Sequence, residues 1–62
     1  MYPYTVSKDE KSGYWYAHKQ GFPNIPVFGT FEKTKKRALK HAADCMALTL
    51  EQYMEYRKRK GV

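Results

Sequence analysis

Cysteine and acidic side chains are few in this 62-residue chain: one Cys and six Asp or Glu. A lone Cys45 excludes an internal disulfide. The six acids, Asp9, Glu10, Glu32, Asp44, Glu51 and Glu55, are dispersed, whereas a two-metal nuclease needs carboxylates converging on one spot. No apolar run approaches the 18 residues of a membrane span, and no apolar stretch opens the chain as a secretory signal would. The expectation is a cytoplasmic protein.

Basic and aromatic residues are abundant instead. Twelve Lys and Arg against six acids give a net charge of +6, which attracts nucleic acid, anionic lipid or an acidic protein surface through its long-range field. Six Tyr, three Phe and one Trp make 16% of the residues, and each covers a large apolar area from a stiff side chain. Such a chain forms one domain, residues 1–62. A core this small yields only about 3–5 kcal/mol of net stability, so a partner or a second copy adds support.

Along the chain the hydrophobic period changes once. YPYTVS alternates Tyr2, Tyr4 and Val6 with Pro3, Thr5 and Ser7, as a half-buried strand does. KDEKSG makes a solvated turn and YWYAHK a second strand, so residues 2–7 and 14–19 read as a hairpin. Pro23 and Pro26 hold Phe22 and Ile25 away from helical dihedrals, and the extended chain predicts a third strand over 26–31. From Thr34, an N-cap residue, Ala38, Leu39, Ala42, Ala43, Cys45, Met46, Thr49, Leu50, Tyr53 and Met54 share one face at 100° per residue. One helix over 35–59, stopped at Gly61, is expected. The fold class is therefore α+β in two layers: a three-stranded antiparallel sheet (β-β-β-α) with one long C-terminal helix on one face.

Little in the sequence suggests catalysis. His41 and Cys45 lie one helical turn apart, but the pattern places the thiol on the apolar side and the imidazole toward solvent, and two ligands are too few for zinc. No catalytic residue, metal or cofactor is expected. Glu55 and Arg59 are spaced for ordinary i, i+4 pairing.

Two groups of residues are candidates for binding. Tyr14, Trp15 and Tyr16 put aromatics on both faces of the second strand, and the set that lies off the helix offers a dimer or partner surface. Lys33, Lys35, Lys36, Arg37 and Lys40, with Arg57, Lys58, Arg59 and Lys60, cluster positive charge at both helix ends, where it either straddles phosphates or is simply solvated. A single helix excludes a helix-turn-helix reader, and lysine clusters position a nucleic-acid backbone without reading its sequence.

The stretch from Tyr2 to Leu50 resembles the N-terminal domain of the HicB family of antitoxins. Tyr2-Pro3 matches its tyrosine-proline start, Asp9, Glu10, Gly13 and Tyr14 its charged turn and strand entry, and Phe22-Pro23-Asn24-Ile25-Pro26 its F-P-D-L-P motif. Thr34 lies where the family caps its helix, and Ala38 and Ala42 take the two helix alanines, with His41 where Asn is usual. Val27 and Phe28 replace a Gly-Cys pair, Glu32 a Gly, and Lys36 and Arg37 a Glu-Glu. The resemblance implies a truncated RNase H-like fold without catalytic acids that masks a small RNA-cleaving toxin. It does not extend to the DNA-binding domain of full-length relatives, so autorepression by this chain is not expected. The combined expectation is a non-enzymatic, dimeric protein-binding module, covering a toxin or, if it comes from a phage or other mobile element, a host protein. The alternative is a small basic nucleic-acid-binding protein.

Overall fold

The computed structural model describes residues 3–61. Two strands, β1 (Tyr4–Lys8) and β2 (Trp15–Lys19), pair antiparallel with Tyr4 opposite Lys19 and Lys8 opposite Trp15. Asp9 builds the reversal between them. Its carboxylate accepts from the Ser12 hydroxyl at 2.8 Å and its carbonyl from the Gly13 N–H at 2.7 Å, with Gly13 at φ 76° where a side chain would be strained. Alternation along the ladder puts Tyr4, Val6, Ala17 and Trp15 on one face and Thr5, Ser7, Tyr16 and His18 on the other.

The expected third strand is not there. Within residues 26–31 only Pro26 bridges β2, at His18, and a second isolated bridge joins Trp15 to Glu32 just beyond, so the sheet has two strands, not three. Pro26 has no N–H to give a ladder, and between the bridges Val27–Thr30 closes a turn, with the Thr30 N–H on the Val27 carbonyl at 3.2 Å and Gly29 at φ 83°. The hairpin is displaced slightly from its expected bounds, and Tyr2 lies outside the described residues.

Nor is there one long helix. The segment forms α1 (Lys35–Cys45) and α2 (Leu50–Lys60). At the end of α1 the Leu48 N–H returns to the Ala43 carbonyl at 2.9 Å and the Ala47 N–H to that of Asp44, while Ala47 takes φ 58°. This is a Schellman ending with alanine in the position that favours glycine. Thr49 then starts α2 with a capping box: its hydroxyl accepts from the Gln52 N–H, and the Gln52 side chain accepts from the Thr49 N–H.

Length explains the break. A five-residue strand spans about 17 Å and an eleven-residue helix about 16 Å, so α1 alone covers the sheet. An unbroken helix over 35–59 would run about 37 Å and carry its second half beyond any strand. Splitting it returns Leu48, Leu50 and Tyr53 to the core formed with Ala17, Leu39, Ala42 and Ala43. Three positions assigned to the apolar face, Cys45, Thr49 and Met54, are exposed as a result.

Tyr53 fastens α2 to the sheet. It is fully buried, and its Oη donates to the Tyr4 carbonyl at 2.5 Å. Desolvation by burial raises the phenol's pKa, partly offset by Arg57, and so preserves the proton that this bond requires.

Substituting Ala47→Gly relieves the left-handed strain and is expected to raise unfolding free energy by about 0.5–1 kcal/mol, read from urea denaturation. An unchanged or lower midpoint would show that the turn holds no strain.

Candidate partner-binding surface

Residues 20–33 wrap the outer edge of β2, and hydrogen bonds pin their backbone at intervals. The Gln20 N–H reaches the Pro3 carbonyl, the Phe22 N–H that of Lys19, and the Val27 N–H that of Ala17 at 2.9 Å. Glu32 exchanges both backbone bonds with Trp15, at 2.7 and 2.8 Å. Tyr16 donates its hydroxyl to the Pro23 carbonyl at 2.6 Å, and Phe31 stacks on the Tyr16 ring, with centroids 5.1 Å apart.

Thr30 occupies the centre of this arrangement. It is almost wholly buried; its Oγ1 accepts from the Ala17 N–H at 3.1 Å and lies 2.6 Å from the Val27 carbonyl, to which it donates. A side chain thus does for β2 what the missing strand would have done.

With the backbone held inward, the apolar side chains point out. Phe28, at the tip of the turn, is fully exposed, Ile25 is 66% exposed, Phe22 50% and Phe31 43%. At the end of the sheet Phe22, Ile25, Pro26 and Val27 join Tyr4 and Lys19 around a shallow groove of about 340 Å³. The sequence pattern assigns residues 26–31 to a strand and singles out none of these side chains as surface. Their signal was the sequence Val-Phe-Gly-Thr directly after Pro26, a turn with its bulkiest residue at the corner.

The three aromatics singled out in the sequence do not share a surface. Tyr14 is exposed and Tyr16, on the helix-free face, is half-buried. Trp15 faces the helix layer, where the Lys35 ammonium sits 5.4 Å from its ring centroid.

The candidate phosphate-binding cations are unequal. Lys33, Lys36, Arg37, Lys58 and Lys60 are exposed. Lys40 pairs with Asp44 at 3.2 Å, Arg59 with Glu55 at 3.7 Å, and Arg57 is half-buried over the Tyr53 ring. Two helices joined by Met46–Thr49 remove the objection that a helix-turn-helix needs a second helix. Glu51 and Glu55, exposed on α2, nevertheless oppose its entry into a groove lined by phosphates.

Potential catalytic groups are engaged elsewhere. His18 is buried with Nε2 2.7 Å from the Ser7 hydroxyl and Nδ1 2.7 Å from the Lys19 carbonyl, so both ring nitrogens serve as ties within the hairpin. His41, expected toward solvent, is half-buried and meets the Glu32 carboxylate at 2.9 Å, joining the loop to α1. Partial desolvation, followed by the Asp44 carboxylate, raises the pKa of the exposed Cys45, the opposite of an activated thiolate. Among the described residues no group of three His, Cys, Asp or Glu could hold a metal ion, and no helix is long and apolar enough to cross a membrane.

Comparison with protein-family models, curated proteins and solved structures gives no match for this chain.

Substituting Thr30→Val, which keeps the shape and removes the hydroxyl, leaves the Ala17 N–H and Val27 carbonyl without this partner. Destabilisation of about 2–3 kcal/mol in urea unfolding is expected, with faster exchange of the Ala17 amide. A cost below about 0.5 kcal/mol would show that the hydroxyl does not hold the loop.

Proposed function

We propose that the protein is a non-enzymatic binding module that covers the surface of a partner protein, using the apolar side chains of the proline loop as its contact. The observation that carries this reading is the contrast within residues 20–33: a backbone tied down at successive points, and Phe22, Ile25, Phe28 and Phe31 directed outward from it. Exposing large apolar groups on a flexible loop would favour collapse. On a pinned loop they remain displayed, and little ordering entropy opposes binding.

The net charge of +6 favours a partner with acidic residues around an apolar centre. Occlusion, not chemistry, is the mode of action. The sequence resemblance suggests a small ribonuclease toxin as one partner of this kind, and a host protein is the other. The two-stranded sheet and split helix depart from the architecture which that resemblance implies, so the reading rests on the loop.

The test is capture from the native host with the wild-type chain and an Ile25→Ser/Phe28→Ser variant, followed by titration of any stoichiometric partner. Loss of about 2 kcal/mol, a thirtyfold weaker complex, is expected for the variant. If every protein retained by the wild type is retained equally by the variant, the loop is not the contact.

A second reading, binding to nucleic acid, is favoured by the first turn of α1, which contains Lys35, Lys36 and Arg37 and no acid. It predicts duplex or single-strand binding that weakens steeply with salt, with a log–log slope near 0.9 per duplex phosphate neutralised. Absence of binding in a fluorescence titration at low salt would eliminate it.

A further inference from the structure

The two edges of the sheet are finished differently. Trp15 spends its N–H and C=O on Glu32, and Ala17 spends its own on Thr30 and Val27, so the loop closes the outer edge of β2. Antiparallel alternation then leaves Tyr16 and His18 to bond β1, opposite Ser7 and Thr5. It follows that Tyr4, Val6 and Lys8 direct their backbone groups away from β2.

Tyr4 is already satisfied there. Its N–H meets the Met46 sulfur at 3.5 Å and its carbonyl accepts from Tyr53. The outward N–H and C=O of Val6 and of Lys8 meet no described residue. An edge of this kind is a template for another strand.

We propose that β1 is a self-association edge, and that it seats β1 of a second copy antiparallel with Ser7 of each chain on the two-fold axis. Val6 then exchanges both backbone bonds with Lys8 of the second copy, and Lys8 with its Val6. The ends of the seat select this occupant. Met46 and Tyr53 block a strand that continues past Tyr4, and in this register the second copy leaves the edge there, because its own strand ends at Lys8 and turns at Asp9. α2 reaches β1 through Tyr53 at the Tyr4 end, so the two α2 helices fall at opposite ends of the paired strands. Since β2's edge is closed, association stops at two chains instead of growing into a ribbon. This inference is independent of the partner-binding reading.

The contact is short and both copies carry net positive charge, so the pair is weak and strengthens as salt screens the repulsion. That sign is opposite to nucleic-acid binding. Sedimentation equilibrium of the full chain from about 10 µM to 1 mM, a range that brackets weak association, is expected to move from 7.3 kDa toward twice that mass. The shift should occur at lower concentration in about 500 mM than in about 50 mM salt. Hydrogen exchange at the Val6 and Lys8 amides should slow at least tenfold between the extremes of concentration. Lys8→Pro removes an outward N–H without touching the β1–β2 ladder and should abolish the dimer, whereas Lys8→Ala should retain it; far-UV circular dichroism checks that both fold. A monomer throughout the range, a dimer surviving Lys8→Pro, or a dimer whose Val6 and Lys8 amides exchange as in the monomer would each overturn the proposal. Should Lys8→Pro fail to fold, the wild-type amide exchange decides.

Discussion

Ala17 is the point on which the rest of the molecule turns. Its methyl group is fully buried beneath α1, while its N–H and C=O both leave the hairpin sideways, to Thr30 and Val27. An unpaired backbone group at a buried site costs roughly as much as this small core yields in net stability, so something had to meet both. A loop does so here, and because it needs only two bridges and one threonine, its other residues need not alternate as strand residues must. Phe28 and Ile25 can face outward for that reason.

Much of this was legible in the sequence, and the parts that were not have identifiable causes. The hairpin followed from alternation about a charged turn, and the α1 cap at Thr34 and the stop at Gly61 followed from residue type. The broken helix was misread because the usual stop signal is absent: alanine, not glycine, occupies the left-handed position 47, and the apolar period runs across it. A start signal was nevertheless present in Thr49-Leu-Glu-Gln52, the capping box, which a continuous helix would have wasted. The third strand failed for the converse reason. Extended residues around prolines look like a strand, but Pro26 lacks a donor and Gly29 admits the turn that takes the chain off the ladder.

The candidate surface was less legible than the fold, since exposure belongs to tertiary structure. Phe22, Phe28 and Phe31 have the composition of core residues, and only the pinned backbone makes them surface. The cations show the reverse. Their number is plain in the sequence, but Asp44, Glu55 and the Trp15 and Tyr53 rings each engage one of them, so the charge available to a partner is less concentrated than the sequence suggests.

The most deeply buried positions of this molecule are mostly alanines. Ala17, Ala38, Ala42 and Ala43 are all wholly inaccessible to solvent, and among the described residues Tyr53 is the one large side chain that shares that condition. Layer spacing is therefore set by the smallest residues available, which have no room to adapt and no rotamers to change. In most domains sequence drift is absorbed by interchange among bulky aliphatics; here the positions that look most forgiving by size are the ones where a single added branch would lift α1 off the hairpin.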